Sequence, residues 1–230
     1  MAAIEGVFFD LDGTLLDTAE DFIVAINRML RNHAKAPIAD DLIRKNLSAG
    51  SKTLTQIAFN LPQGKELEQK RDEFLQYYDH HLKDDRRASL STLYPGIAEL
   101  ISELEQRKLP WGIVTNKPRS YSLQLLQQLN ILDRSHILVC PDDVKYAKPH
   151  PEALFLACKQ TRCNPENSVY IGDHIRDIEA GKKAGMFTVA AHYGYIADGD
   201  DPFRWQADLN IDKASELHDW LITNDWKVPE

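Results

Sequence analysis

The chain has 230 residues, of which 43% are hydrophobic and 27% charged, which is typical of a globular protein with one sizeable α/β domain and a small inserted one. Its net charge of -8 argues against a general nucleic-acid binder, because such proteins neutralise phosphates with a basic surface. The net charge does not exclude a small phosphorylated substrate, since a local site can be positive within an acidic protein.

Neither the cysteines nor the apolar segments indicate an exported or membrane-bound protein. Cys140, Cys158 and Cys163 are sparse and do not show metal-ligand spacing, which favours a reducing compartment. No segment approaches the roughly 20 apolar residues that cross a bilayer. Asp10 and Asp12 stand where a signal peptide would be apolar. We therefore expect a cytoplasmic protein without membrane or nucleic-acid partners, either a monomer or a weak homodimer.

The first elements are one strand and a series of helices. Ile4 to Phe9 is rich in β-forming residues and predicts a short strand. Apolar residues at helical spacing follow over 18–34, and turn signals separate further helical stretches near 40–47, 53–59 and 66–82. Between 17 and about 85 we find helices and no convincing strand. The sequence thus predicts a helical insertion directly after the first strand.

From residue 94 onward strands and helices alternate. The predicted strands cover 110–115, 136–140, 168–171, 187–191 and 207–211. The predicted helices cover 97–107, 120–129, 151–158, 175–184 and 216–222. This alternation indicates an α/β fold with a doubly wound parallel sheet and helices on both faces. Ligands of such sheets bind outside the carboxyl ends of the strands.

Polar side chains gather at the ends of these predicted strands. Asp10 and Asp12 follow the first strand, Thr115 and Asp173 end later ones, and Lys148 lies in a loop before a helix. Charge at the end of a buried strand is costly unless it is paired. Two neighbouring carboxylates suit Mg²⁺, which binds oxygen ligands and keeps positions open for phosphate. We expect one active site at the carboxyl edge of the sheet.

The sequence DLDGT at 10–14, after an apolar run, resembles the first motif of the haloacid dehalogenase superfamily. The other three motifs of the family follow in order, as a hydroxyl at Thr115, a lysine at Lys148 and the acidic pair Asp173 and Asp177. The resemblance covers nearly the whole chain. It implies a Rossmann-like core formed by 1–16 and 86–230, with a small helical cap domain over 17–85.

The resemblance also implies roles for the acidic residues. Asp10 is the expected nucleophile, forming an aspartyl-phosphate, and Asp12 the general acid and base. Mg²⁺ is expected at Asp10, Asp12 (through its backbone carbonyl) and Asp173. Asp177 either holds a metal-bound water, orients Lys148, or only caps a helix. Dehalogenases and phosphonate hydrolases of the superfamily lack an aspartate at position 12, so its presence favours phosphate esters.

Further residues are expected to bind the phosphate. Lys148 supplies a point charge to phosphate and nucleophile, and Thr115 a hydroxyl beside the amide of Asn116. Gly13 allows the tight turn, and the backbone amides after the nucleophile are expected to hold the phosphate. For Thr14, phosphate binding and a simple turn or capping role are equally good explanations. For His174, which lies between Asp173 and Asp177, contact with the substrate and a partly buried turn position are both open.

The cap is expected to decide which substrate is accepted. The loop 46–52 occupies the position of the family's specificity loop, and Ser51 and Lys52 are the candidates for contacts with the distal polar groups of the substrate. The alternative is a solvated helix start. A lysine in the cap is also what phosphonate hydrolases use to form an imine, but Asp12 argues against that chemistry.

Several segments outside the four motifs carry a narrower resemblance. The stretches 41–44, 111–118, 139–145, 193–196 and 205–208 are similar to bacterial phosphoglycolate phosphatases, and more specifically to phosphatases of peptidoglycan recycling that act on an amino-sugar phosphate. A small phosphorylated substrate of either kind is implied. A phosphosugar mutase shares all four motifs, and a non-catalytic phosphate-binding module on the same fold remains the alternative from another class.

Overall fold

The computed structural model describes residues 2–84 and 89–228. Residues 2–84 contain three short strands and four α-helices. In chain order they are β1 (Ala2–Ala3), β2 (Gly6–Phe9), β3 (Leu16–Asp17), α1 (Ala19–Asn32), α2 (Asp40–Lys45), α3 (Ser51–Phe59) and α4 (Lys65–Leu82).

The second part alternates strands with helices, as the sequence predicts. In chain order it contains β4 (Thr92–Leu93), α5 (Ile97–Gln106), β5 (Trp111–Val114), α6 (Arg119–Gln128), β6 (Ile137–Val139), α7 (Glu152–Thr161), β7 (Ser168–Gly172), α8 (Ile175–Ala184), β8 (Phe187–Ala191), β9 (Leu209–Ile211), α9 (Ala214–Thr223) and β10 (Lys227–Val228).

In the part of the chain that the structure describes, six strands form the central sheet in the order β6-β5-β2-β7-β8-β9. Every neighbouring pair is parallel, so the predicted doubly wound parallel sheet is confirmed. The chain leaves β2 toward one edge through β5 and β6, and later returns to its other side through β7. This reversal places β2 at the switch point of the sheet, where ligand crevices form in such folds.

Both faces of the sheet are buried. On β2, Val7 and Phe9 belong to the larger hydrophobic cluster and Phe8 to a second cluster on the opposite side, because successive side chains of a strand point to opposite faces. All four residues of β2 are buried. A strand covered on both sides reads as a continuous apolar run, which is why it was recognisable in the sequence.

Two short antiparallel ribbons were not predicted. β3 pairs with β4 and β1 with β10. Each strand has two residues, too few to show a periodic pattern. The β3–β4 ribbon joins the two connections between the sheet and helices α1–α4. We propose this helical unit as the cap. The predicted boundary at 85/86 lies outside the described residues, and the division of the chain stays a prediction.

Within the described residues, none of the helices is long and apolar enough to cross a membrane.

A buried carboxylate on α1 holds the chain where it returns toward the sheet. Asp21 is fully buried and accepts hydrogen bonds from the hydroxyls of Ser89 (2.6 Å) and Ser91 (2.5 Å) and the backbone N–H of Leu90 (3.0 Å). Its Oδ1 lies 2.8 Å from Nε2 of His81 at the end of α4. Burial raises the pKa of Asp21, but these hydrogen bonds outweigh it and lower the pKa to about 2.

Asp21→Asn is expected to lower the free energy of unfolding at pH 7 by about 2–4 kcal/mol, because the carboxylate's buried partners lose their acceptor. A carboxyl with a lowered folded-state pKa stabilises the fold above its unfolded pKa. The difference between wild type and variant should therefore shrink as the pH falls from about 4 toward 2. Urea unfolding across this pH range measures it, with the exposed Asp219→Asn as control. A difference that does not change with pH would contradict the assignment.

Candidate active site

The predicted catalytic groups meet where three adjacent strands end. Asp10 directly follows β2, Thr115 directly follows β5, and Asp173 directly follows β7. Because β5 and β7 are the two neighbours of β2 in the sheet, their carboxyl ends lie side by side. Lys148 reaches the same place from the loop before α7, as its ion pairs show.

Asp10 is held by one oxygen and leaves the other free. It is buried, and its Oδ1 accepts a hydrogen bond of 2.7 Å from the backbone N–H of Leu11 and lies 2.9 Å from Nζ of Lys148. Within residues 2–84 and 89–228, Oδ2 accepts no hydrogen bond, and the side chain lines the cavity beside it. The direction of this carboxylate is therefore fixed through Oδ1, and Oδ2 is available to a ligand in the cavity.

Lys148 is enclosed by acceptors. Its fully buried ammonium lies 2.9 Å from Oδ1 of Asp10 and 2.7 Å from Oδ1 of Asp177. It also donates to the Val114 carbonyl (2.9 Å) and the Tyr170 hydroxyl (2.6 Å). The ammonium has three protons, so its position is strongly determined. Removing this charge would leave two buried carboxylates facing each other.

The Asn116 side chain positions the backbone of that lysine. Its amide donates to the Lys148 carbonyl (2.9 Å), and its carbonyl accepts from the Lys148 N–H (3.1 Å). Thr115 is buried, lines the cavity, and accepts a hydrogen bond from the N–H of Lys117 (3.1 Å). In the described part of the chain its hydroxyl donates to no protein atom, so this proton is available to a phosphate oxygen.

The two carboxylate oxygens of Asp173 differ in their partners. Its Oδ2 accepts from the hydroxyl of Ser48 (2.7 Å) and the N–H of Tyr195 (2.8 Å), whereas Oδ1 is buried and has no hydrogen-bond partner among the described residues. Burial, followed by the negative charges of Asp10 and Asp177, raises the pKa of Asp173 well above its usual range. Such a group needs a cation in order to ionise.

Asp10, Asp173 and Asp177 form an acidic cluster that can hold a metal ion, since each offers a carboxylate oxygen within 4.8 Å of the others. The unpartnered Oδ1 of Asp173 and the all-oxygen donor set fit a hard cation such as Mg²⁺. Asp177 also caps α8, because its Oδ2 accepts from the N–H of His174 (3.1 Å). Asp177 therefore orients Lys148 with one carboxylate oxygen and caps the helix with the other.

The Asp12 side chain points away from this cluster. Its Oδ1 accepts from the hydroxyl of Thr18 (2.6 Å) and lies 2.9 Å from Nζ of Lys117. Lys117 is buried and lies over the rings of Phe22 (4.5 Å) and Tyr78 (4.8 Å). Asp12 thus faces the cavity beside a cation, and only its backbone carbonyl is left for the expected metal contact.

Gly13 lies too close to the acidic cluster for any side chain. Its φ of 82° is in the left-handed region, and a Cβ atom there would lie 1.9 Å from Oδ2 of Asp173. The Thr14 hydroxyl is buried without a partner in the described residues, and its carbonyl accepts from the Tyr193 hydroxyl (3.1 Å). Neither residue lines the cavity, so a role in phosphate binding stays a prediction for both.

His174 occupies the turn before α8. Its Nδ1 accepts a hydrogen bond from the N–H of Arg176 (3.2 Å), which satisfies one of the free amides at the helix N-terminus. Burial, with the nearby charge of Arg176, lowers the pKa of His174 to about 4. His174 is thus a neutral capping residue that does not line the cavity. These observations favour a role in the turn over contact with the substrate.

The loop between α2 and α3 closes over the sheet edge. In it, Ser48 donates to Asp173 (2.7 Å), and the Ser48 carbonyl accepts from the Arg176 guanidinium. Ser51 lines the cavity. Lys52 does not line it and instead pairs with Glu68 at 2.5 Å. The structure therefore brings Ser51 to the site and leaves Lys52 beside it.

A cavity of about 200 Å³ lies between the sheet edge and the helical unit. The sheet side contributes Asp10, Asp12, Thr115, Asn116, Lys117 and Arg176. The helical side contributes Leu47, Ser48, Ser51, Arg71, Leu75 and Tyr78. One wall thus carries the charged and hydroxyl groups suited to a phosphate, and the other mixes apolar, aromatic and basic surface.

Comparison with known proteins identifies the class. The model of the haloacid dehalogenase-like hydrolase family matches residues 7–191, and the chain belongs to this family. It is a phosphoric monoester hydrolase of the haloacid dehalogenase type, which favours hydrolysis over the mutase and non-catalytic alternatives.

The chain is also similar to individual phosphatases of this family. An N-acetylmuramic acid 6-phosphate phosphatase from Pseudomonas aeruginosa is 43% identical over 219 residues, which cover 95% of each chain. A phosphoglycolate phosphatase from Xanthomonas campestris is 36% identical over 92% of this chain and 93% of its own. The crystal structure of "a predicted phosphoglycolate phosphatase" from Haemophilus somnus has a TM-score of 0.81 at 24% identity, over 96% of this chain and 99% of that one. This last likeness shows the fold alone.

Sequence reasoning missed several residues of the site. Lys117, Ser48, Arg176 and Arg71 all line the cavity and received no role. A signal existed for Lys117, which directly follows Thr115 and Asn116 at the end of a strand. Ser48 lies in the loop 46–52 and Arg176 lies between Asp173 and Asp177, so their positions in the sequence were indications as well. No signal existed for Arg71, because an arginine on a polar helix is usually solvent-exposed.

Proposed function

We propose that this protein hydrolyses N-acetylmuramic acid 6-phosphate through an aspartyl-phosphate formed on Asp10. The observation that carries the proposal is the enclosed charge arrangement at the sheet edge, in which Asp10 keeps one oxygen free beside Lys148 and an acidic cluster. The substrate follows the relative from Pseudomonas aeruginosa, which matches along nearly the full length of both chains.

In the first step, the free Oδ2 of Asp10 attacks phosphorus and the bond from phosphorus to the sugar oxygen breaks. Asp12 gives its proton to that leaving oxygen. The Lys117 ammonium, 2.9 Å from Asp12, offsets the negative charge that Asp12 then acquires. Lys148 and the hydroxyl of Thr115 stabilise the charge on the transferring phosphoryl group.

In the second step, Asp12 takes a proton from water, whose oxygen attacks phosphorus. The bond between phosphorus and Asp10 breaks, which releases phosphate and restores the carboxylate. The two directions of proton transfer use one residue because the leaving oxygen and the incoming water occupy the same side of the phosphoryl group. The loop that carries Ser48 covers this site and limits access of other water molecules.

Mg²⁺ would be held by Asp10, Asp173 and the Asp12 backbone carbonyl, with Asp177 beside it. When bound, it neutralises phosphate charge and allows the carboxylates to approach the substrate. The raised pKa of Asp173 and its unpartnered oxygen support this assignment, because both are expected of a buried carboxylate that ionises on binding a cation.

Phosphoglycolate is the second candidate substrate. The relative from Xanthomonas campestris is 36% identical over most of both chains. The two substrates share a phosphate ester and a carboxylate but differ greatly in size. The apolar and aromatic surface of Leu75 and Tyr121, which are half-buried and line the cavity, favours the amino sugar, since phosphoglycolate has only one methylene group to contact such a surface.

We also propose that the protein acts in the cytoplasm. All three cysteines, Cys140, Cys158 and Cys163, are buried free thiols, and burial raises the pKa of each. Unpaired thiols are typical of proteins from reducing compartments.

The substrate is tested by measuring kcat/KM in Mg²⁺ for N-acetylmuramic acid 6-phosphate and 2-phosphoglycolate side by side. We expect at least about tenfold higher kcat/KM for the amino sugar, because one pocket contact group typically contributes 1–3 kcal/mol. A preference for 2-phosphoglycolate would contradict the proposed substrate. Removal of Mg²⁺ with a chelator should abolish both activities, and re-addition should restore them.

A further inference from the structure

One face of helix α4 lines the cavity with Arg71, Leu75 and Tyr78. Leu75 and Tyr78 follow Arg71 by four and seven positions, so all three side chains lie on the same side of the helix. The Tyr78 ring lies 4.8 Å from Nζ of Lys117, which pairs with Asp12. Because a helix rises 1.5 Å per residue, Arg71 lies roughly 10 Å along the helix from Tyr78. Arg71 thus lies about two helical turns away from the ring that contacts Lys117 beside Asp12.

Arg71 and its neighbours carry one positive charge more than their shared carboxylate balances. The Arg71 guanidinium donates from Nε to the hydroxyl of Ser51 and from Nη1 to Glu68, each over 3.3 Å. Glu68 pairs at the same time with Lys52 at 2.5 Å. Two cations therefore share one carboxylate. Within residues 2–84 and 89–228, Nη2 of Arg71 donates to no protein atom.

The chemistry around Arg71 suits a carboxylate. A guanidinium presents donors in a planar fork that matches the two oxygens of a carboxylate, whereas an ammonium acts as a point charge. Between Arg71 and the Asp12 end, the cavity wall is formed by Leu75, Tyr78 and Tyr121. The rings of Tyr78 and Tyr121 lie 5.4 Å apart, edge to face. Tyr78 is buried in this packing, whereas Leu75 and Tyr121 are half-buried and leave an apolar and aromatic surface that fits the face of a sugar ring.

We propose that Arg71 binds the carboxylate of the substrate at the end opposite its phosphate, and so determines specificity. The inference rests on the proposed function and extends it. In N-acetylmuramic acid 6-phosphate, eight covalent bonds separate phosphorus from the carboxyl carbon, and in 2-phosphoglycolate three. At about 1.5 Å per bond and ordinary bond angles, eight bonds extend up to about 10 Å and three only about 4 Å. Only the sugar places its carboxylate near Arg71.

The test compares N-acetylmuramic acid 6-phosphate with N-acetylglucosamine 6-phosphate, which has the same ring and phosphate but a hydroxyl in place of the carboxyl-bearing ether. Wild type should favour the first substrate in kcat/KM by about 10–100-fold, the usual effect of a charge-assisted pair. Arg71→Met should reduce this ratio to within about threefold, chiefly through KM, because the contact is remote from the bond that breaks. Arg71→Lys should retain part of the ratio.

The control variant is Lys65→Met, which removes an exposed cation from the same helix outside the cavity and should keep the wild-type ratio. A ratio that Arg71→Met leaves unchanged would overturn the inference, and equal losses on both sugars would then indicate a structural role for Arg71. A ratio that falls in Lys52→Ala instead of in Arg71→Met would also overturn it. A wild type that prefers 2-phosphoglycolate would overturn the inference together with the proposed function, and that result is seen without any variant.

Discussion

Asp10→Asn is expected to lower kcat for every phosphate monoester by about four orders of magnitude or more, since an amide does not replace a carboxylate nucleophile. The fold should survive. Asp10 is clustered with Asp173 and Asp177 and shares the Lys148 ammonium with Asp177, so the substitution removes one buried negative charge from a group of three carboxylates. In metal-free buffer, we expect a melting temperature equal to or above that of wild type.

Steady-state turnover of p-nitrophenyl phosphate and thermal unfolding followed by circular dichroism measure both effects. Asp219→Asn, an exposed substitution of the same kind on α9, is the control and should change neither. Retained turnover in purified Asp10→Asn would exclude the aspartyl-phosphate mechanism. A large drop in melting temperature would instead show that the cluster is not repulsive, against the raised pKa of Asp173.

Lys148→Met is expected to have the opposite effect on stability. It keeps an unbranched side chain of similar length but removes the cation between Asp10 and Asp177. Breaking a buried ion pair from one side costs about 3–5 kcal/mol, because the remaining charges lose their partner. The free energy of unfolding should fall by about this amount, and kcat by about 10³-fold, the size of effect seen when one charge-stabilising donor is lost.

The double variant Lys148→Met with Asp177→Asn separates the two roles of the lysine. Removing one of the facing carboxylates should restore much of the stability but none of the activity. Urea unfolding and p-nitrophenyl phosphate turnover measure the two outcomes, with the exposed Lys182→Met on α8 as control. If the double variant also recovers turnover, Lys148 acts only by balancing charge and does not contact the phosphoryl group.

Much of the fold was predictable because local patterns carried it. β2, β7 and β8 are buried throughout or nearly so, and their largely apolar runs stood out in the sequence, with an aspartate directly after β2 and β7. The predicted helix over 175–184 matches α8 as the structure has it. β3, β4, β1 and β10 were missed, because a two-residue strand is formed by its partner and has no periodicity of its own.

The site was predictable to the extent that the topology of a parallel sheet determines it. Residues that end adjacent strands come together at one edge, and so the order of Asp10, Thr115 and Asp173 along the chain already indicated a shared site. The sequence did not indicate which cation faces Asp12. Lys117 was overlooked because a lysine is nearly always solvent-exposed, and here it is buried against Phe22 and Tyr78.

By itself, the sequence determined the alternation of strands and helices, the order of the four motifs, and therefore the family and the edge of the sheet that carries the chemistry. The tertiary structure alone decided how the helical unit meets that edge. It brought Ser48 to Asp173, 125 positions away, and put Arg71 in the cavity with Lys52 beside it. Such pairings depend on how two packed units fit together, and the helical or strand period of a single segment contains no information about its distant partner.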